Sequence, residues 1–375
     1  MRRKIIEILS VFLLIALWAA PLKAQTNEAD IGALLEEVRS QYELPALAAA
    51  VVRADGTIAE GAVGFRVKGQ PARVTLGDRF HLGSTAKSMT ATMIATLVEE
   101  GKLSWQTTLA QVFTEMGDKL HPSLRAVTLE QLLTHRGGIT PFEDEEEPTW
   151  KQLPKLKGSP TKVRLAFTEW MLKRGAASPV GEYVYSNAGY CLAAAMAERV
   201  TGKSWEALMR ERLFKPLGLK SAGFGWPARA HANEPWGHKE TEAGVLVPHS
   251  PRDVYQLPPY IAPAGDVHMS ITDFARYARL HLAGLNGRPM LLKASTFQKL
   301  HQPVGEYAFG WNAQVIKGLP ASTHSGSAGT FYAGILIYPQ KNIAIVIFIN
   351  VANQKENEAR NKLFGILLRK YGAIS

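Results

Sequence analysis

The sequence is poor in several features that would each have pointed to a function. One cysteine, Cys191, stands among 375 residues, so no intrachain disulfide can form. Ten histidines are present, yet none falls in the His-Glu-x-x-His spacing of a zinc hydrolase. We expect neither metal nor cofactor. No Gly-x-Ser-x-Gly occurs, the turn that carries the nucleophile of α/β-hydrolases. The formal charge is +10, but no basic block is interleaved with aromatics, so nucleic acid is a poor partner. An apolar run of the ~20 residues needed to span a bilayer is also missing. The run at the N-terminus, Ile8 to Ala20, has 13 residues. No internal repeat appears.

That short run still has a reading. Arg2, Arg3 and Lys4 precede it, and Leu22-Lys23-Ala24 follows, which is the pattern of a secretory leader over residues 1–24. The alternative is an uncleaved anchor. Cleavage before Gln25 would leave one domain, residues 25–375, with a charge near +7, in the periplasm or outside the cell and without stable membrane insertion. Cys191 lies in the apolar helical run Cys191-Leu192-Ala193-Ala194-Ala195-Met196 and reads as a buried hydrophobe.

What the chain does contain is strands at both ends and helices between. Asn27–Tyr42 reads as an amphipathic helix, and Leu47–Arg53 and Thr57–Arg66 as strands joined at Asp55-Gly56, a hairpin signal. Ser84–Gly101 reads as a helix that stops at its glycine. Helical patterns then run to about Asn286, before the strands Gly310–Ile316, Thr330–Tyr338 and Ile343–Val351 and a last helix from Asn357 to Tyr371. The expected fold class is therefore α+β. One antiparallel sheet, built from about 27–80 and 305–375 and flanked by helices, would carry a mainly helical insert over about 84–300. A cleft is expected where the two parts meet. The acidic stretch Glu143–Glu147, between Pro141 and Pro148, reads as an exposed loop: a solvated run, or a lip over that cleft.

Ser84-Thr85-Ala86-Lys87 places a hydroxyl and an amine three residues apart at a helix start, on one helical face. A serine hydroxyl needs a neighbouring base, and a lysine serves only when burial makes it neutral. Leu82, Met89, Met93 and Ile94 supply apolar surroundings. The same pattern recurs at Ser159-Pro160-Thr161-Lys162, where it reads as a helix start, with Ser159 as N-cap and Pro160 in the first turn.

Two further motifs separate the copies. Tyr185-Ser186-Asn187 is the only Tyr-x-Asn in the chain, and His324-Ser325-Gly326 precedes the apolar C-terminal strands. They follow Ser84 by 101 and a further 139 residues. In this order the motifs resemble those of the serine β-lactamase and penicillin-binding-protein superfamily, in its class C β-lactamase and D-alanyl-D-alanine carboxypeptidase branch. Leu132–Gly138, Phe214–Leu219, Pro263–Val267 and Phe309-Gly310-Trp311 resemble further stretches of that family, so the likeness covers nearly the whole chain after the leader.

The resemblance implies a β-lactamase/transpeptidase-like fold and an acyl-enzyme on Ser84. Lys87 and Tyr185 would share the base, Tyr185 as a phenol made acidic by nearby cations. Asn187 would bind the substrate amide and orient Lys87, and Gly326 would leave room for the substrate backbone. The backbone N–H groups of Ser84 and Ser327 would form the oxyanion hole. His324 stands where class C β-lactamases usually have lysine. It would hold a substrate carboxylate only when protonated, so that recognition weakens as pH rises between about 5 and 8. The implied substrate is a peptidoglycan D-Ala peptide, a β-lactam, a small ester or a D-amino-acid amide. A non-catalytic penicillin sensor or envelope scaffold of the same fold is the alternative. The Glu-dependent deacylation motif of class A is absent.

Overall fold

Ala46–Val52 is apolar at every position and buried throughout, the mark of a strand covered on both faces. The computed structural model, which describes residues 29–143, 148–252 and 256–372, builds its main sheet around it. The expected leader and Asp144–Glu147 lie outside the described residues. Along the chain the strands are β1 (Ala29–Asp30), β2 (Ala46–Arg53), β3 (Gly56–Gly64), β4 (Arg79–His81), β5 (Gly223–Phe224), β6 (His238–Glu240), β7 (Leu246–Pro248), β8 (Val267–Ser270), β9 (Asn312–Ile316), β10 (Leu319–Ser327), β11 (Tyr332–Tyr338) and β12 (Ile343–Ile349). The main helices are α1 (Gly32–Gln41), α2 (Ala86–Glu99), α3 (Pro160–Arg174), α4 (Asn187–Thr201), α5 (Ile271–Leu285), α6 (Ala294–His301) and α7 (Gln354–Gly372).

The large sheet runs β1-β3-β2-β12-β11-β10-β9, so strands from both ends of the chain meet at β2 and β12, where Leu47 pairs with Ile349 and Val52 with Ala344. The pairing is antiparallel except at β1, which joins β3 in parallel. Side chains alternate between the faces of a strand. Leu47, Ala49 and Val51 therefore join Leu35, Val38, Leu363 and Leu367 of α1 and α7 on one face. Ala48, Ala50, Val346 and Phe348 pack on the other, where Phe274 of α5 stacks on Phe348 at 5.1 Å. Helix α5 thus covers the sheet although it falls within the stretch read as the insert. The sequence reading also lacked the three-stranded sheet β4-β8-β5 and the hairpin β6-β7, whose strands are too short to show a period.

Helix α2 is the axis of the helical part: every residue from Ala86 to Leu97 is buried, which no amphipathic stripe would require. Ser159 does cap α3, its Oγ accepting from the Lys162 N–H at 3.4 Å with Pro160 in the first turn. Helix α3 sends Arg164 into the interior, where Nη2 meets Glu198 at 2.7 Å and Glu206 at 2.8 Å and Nη1 donates to the Pro259 carbonyl. Removing one partner of a buried ion pair strands the other charge. Arg164→Leu is therefore expected to cost about 3–5 kcal/mol in urea unfolding. An unchanged unfolding midpoint would refute this role.

Candidate active site

Gly83 adopts φ +51°, a left-handed conformation that suits glycine, and opens a 3₁₀ turn over Gly83–Thr85 that runs into α2. The helix therefore starts two residues later than expected, and Ser84 sits in the turn before it. The turn is tethered from below. Its Gly83 N–H donates to His81 Nδ1 at 3.2 Å, which leaves the other ring nitrogen as the donor to Asp266 Oδ1, also at 3.2 Å. Trp226 stacks on the same imidazole at 4.8 Å.

Lys87, one turn on, is fully buried and points back at the serine, its Nζ 3.0 Å from Ser84 Oγ. Nζ also lies 2.7 Å from Asn187 Oδ1 and 2.9 Å from the Ala264 carbonyl. No carboxylate is among these three contacts. Burial pulls the amine down from 10.5 to about 7, against weak upward pulls from Cys191 and Glu143. A neutral amine has two hydrogens. Donation to the two fixed carbonyl oxygens uses both and leaves its lone pair for the Ser84 hydroxyl.

Helix α4 brings the second motif. Ser186 caps it, accepting from the Gly189 N–H and donating to the Thr140 carbonyl. Tyr185 lies just before this cap and Asn187 just after it, so both face Lys87, whose Nζ is 4.8 Å from the Tyr185 ring. The expectation of an acidified Tyr185 is overturned. Burial drives its phenol up, and the hydrogen bond with Ser84 only partly opposes that. Lys87 is not among the groups that pull the phenol down, so Tyr185 stays protonated and is a donor. Asn187 Oδ1 accepts from Lys87 Nζ, and its amide nitrogen already donates to the Phe142 carbonyl at 2.8 Å.

The third motif lies on β10. Gly326 is needed for a different reason than expected. A Cβ there would meet the Leu82 carbonyl at 2.1 Å and Ser84 N at 2.5 Å, so what approaches it is the chain's own serine turn. Gly83 reciprocates, since a Cβ on it would meet Ser327 N at 2.4 Å. Two glycines thus let the turn and the strand touch, at Ser84 N on one side and Ser327 N on the other.

His324 is where the reading changes most. Its ring is buried, Nδ1 faces the Ser325 carbonyl at 2.8 Å and Nε2 the Tyr307 hydroxyl at 3.1 Å. Nδ1 must donate to the carbonyl, so Nε2 accepts from tyrosine. Burial first, then Lys87, push its pKa down to about 3. Between pH 5 and 8 the ring stays neutral, and the expected loss of carboxylate recognition over that range does not follow.

Several contributors carry no side-chain motif. The Ala264 and Phe142 carbonyls act through the backbone, so only the likeness of Pro263–Val267 to a family stretch hinted at one of them. His135 adopts φ +59°, accepts from the Ser186 N–H at 3.0 Å and lies against Tyr185 with ring centroids 4.3 Å apart. Beside Ser84 and Ser327 opens a cleft of about 340 Å³ walled by Phe142, Trp150, Trp226, Leu257 and Ile261, with Glu143 and Lys239 on its lining. Cys191 is buried as expected and lies beneath the site, its Sγ 3.1 Å from the Asn187 carbonyl.

The family described as Beta-lactamase matches residues 30–368. Penicillin-binding protein 4 of Amycolatopsis lactamdurans is 26% identical over 338 residues, which cover 84% of this chain and 83% of that one. An unguisins hydrolase of Aspergillus campestris is also 26% identical over 341 residues, 86% of this chain but 61% of its own length. Among solved structures, an octameric penicillin-binding protein homologue from Pyrococcus abyssi superposes with a TM-score of 0.72 at 23% identity, covering 91% of this chain and 77% of that one. A class C beta lactamase from Rhodobacter sphaeroides gives 0.70 at 19% identity, covering 90% and 98%. At such identities the superpositions speak for the fold alone, and the expected β-lactamase-like architecture holds. With the match spanning 30–368, this chain belongs to the beta-lactamase family.

Proposed function

We propose that the protein is an exported serine hydrolase that acylates Ser84 with the carbonyl half of an amide or ester. The observation that carries this is the Lys87 amine, 3.0 Å from Ser84 Oγ, with two carbonyl oxygens taking its hydrogens. Lys87 removes the hydroxyl proton as Oγ bonds to the substrate carbonyl carbon. The oxyanion receives the N–H groups of Ser84 and Ser327. As the bond to the leaving nitrogen or oxygen breaks, the Lys87 ammonium and the Tyr185 hydroxyl are the groups that return a proton to it. Water then attacks the ester, giving its proton back through Lys87 to Ser84 and releasing the acid.

The apolar cleft walls favour an acyl group with an apolar side chain, and Lys239 is the one cation on its lining among the described residues. The named relatives bind penicillin or hydrolyse unguisins. Together these favour peptide-like amides and β-lactams over a simple fatty ester.

Intact-mass measurement after a fluorophosphonate or a penicillin tests the reading. One covalent adduct per chain is expected on the wild type and none on Ser84→Ala. Turnover of nitrocefin, p-nitrophenyl esters and a D-Ala-D-Ala peptide should be lost in the same variant, and the wild-type rates rank the substrate class. A folded wild type that takes no adduct would instead make this a non-catalytic scaffold.

A further inference from the structure

Below the catalytic helix lies a chain of polar side chains with no part in the chemistry just described. It starts on β10, where Ser322 Oγ is 2.8 Å from His301 Nδ1. His301 Nε2 is 2.8 Å from His281 Nδ1, and His281 Nε2 is 3.2 Å from Thr92 Oγ1 on α2. Thr92 Oγ1 donates to the Ser88 carbonyl at 2.8 Å. Tyr277 donates to Ser88 Oγ at 3.0 Å, and Ser88 Oγ donates to the Thr85 carbonyl at 2.8 Å. Thr92, Tyr277, His281 and Ser88 are fully buried, and Trp311 packs on both imidazoles, with ring centroids 4.6 Å from His301 and 4.9 Å from His281.

The hydrogens can be assigned from the ends. Thr92 has given its hydrogen to a carbonyl, so its oxygen accepts from His281 Nε2–H. His281 Nδ1 is then bare and accepts from His301 Nε2–H. His301 Nδ1 is bare in turn and accepts from the Ser322 hydroxyl. Every donor points the same way, from β10 to α2, and both rings are neutral. A second proton on His281 would set its Nδ1–H against the His301 Nε2–H.

We propose that His281 and His301 are positioning residues that fix β10, with the Ser327 N–H, at its catalytic distance from the Ser84 turn and the Lys87 helix that continues it. The inference rests on the acyl-enzyme reading above. To the packing and strand pairing that already hold β10, the directed chain adds a specific link from Ser322 to Thr92 on α2. An oxyanion donor misplaced by ~1 Å can cost up to ~10²-fold in rate.

The test compares His301→Leu with His301→Gln. A carboxamide carries one acceptor and one donor at nearly the spacing of the two imidazole nitrogens, so glutamine can reproduce the chain without a titratable ring. Turnover is measured per Ser84 labelled by fluorophosphonate, well below each variant's melting temperature. His301→Leu is expected to lose about tenfold in kcat with KM within about twofold, and His301→Gln to regain most of that loss. A folded His301→Leu with wild-type kcat, or a His301→Gln as slow as His301→Leu, overturns the proposal. Should His301→Leu not fold, Ser322→Ala removes only the first hydroxyl and should lower kcat with little change in melting temperature. An unchanged kcat there also overturns it. Failure of wild type to take the label counts against the acyl-enzyme reading instead.

Discussion

Lys87→Met should lower kcat/KM by about 10³–10⁴-fold on any substrate the wild type turns over, the upper part of the range for a positioned general base. Methionine fills the buried channel without a base, so the protein folds and Ser84 remains in place but unactivated. Lys87→Arg should fare no better, because guanidinium stays protonated and has no lone pair to offer. The wild type carries the matching signature in its pH profile. With the amine held at about 7, kcat/KM should rise with pH through neutrality and fall about tenfold per unit on the acid side. The same shift acts on stability. Between about 7 and 10.5 the unfolded chain binds a proton on this lysine that the folded one does not, so folding gains as pH climbs through that window. A profile that is flat from pH 5 to 8 would remove Lys87 from the base role.

Gly326→Ala should be nearly as damaging. Its Cβ would lie 2.1 Å from the Leu82 carbonyl and 2.5 Å from Ser84 N, and both are backbone atoms that no rotamer change relieves. Strand and turn must part by more than an ångström. That would separate the Ser84 and Ser327 N–H groups of the proposed oxyanion hole, and loss of one such donor costs about 10²–10³ in kcat. Overpacking adds about 1–3 kcal/mol of destabilisation. Fluorophosphonate labelling should slow in parallel with turnover. A Gly326→Ala protein with wild-type labelling would show that the contact is soft.

Much of this was legible before any coordinates. Ser84, Lys87, Tyr185 and Asn187 come together as their ordered motifs predicted, because a helix start and a helix cap bring side chains to one point. The strands β2, β11 and β12 were visible as apolar runs, and Asp55-Gly56 marked its hairpin. The rest was hidden for physical reasons. Protonation states depend on burial, and a motif does not record how deeply a ring sits. Hence the sequence suggests an acidic Tyr185 and a His324 that loses its charge between about pH 5 and 8, whereas burial keeps both neutral over that range. The role of Gly326 depended on which backbone came near it, and the nearest is the serine turn. Ala264 contributes a carbonyl, which every residue has. The histidine chain joins four elements through residues 92, 281, 301 and 322, and no local pattern links positions so far apart.

The placement of β12 beside β2 has a consequence for how the molecule is made. Just over three hundred residues separate Leu47 from its partner Ile349, so β2 waits for β12. Until β12 arrives, one edge of β2 lacks its hydrogen-bonding partner and its apolar faces lack part of their cover. Closure over so long a loop makes for slow folding, and exposed strand edges invite aggregation meanwhile. Loss of the segment from β12 onward should therefore leave a chain that cannot settle, because the strand at the centre of the main sheet's order, β12, is also the last in sequence among the described strands.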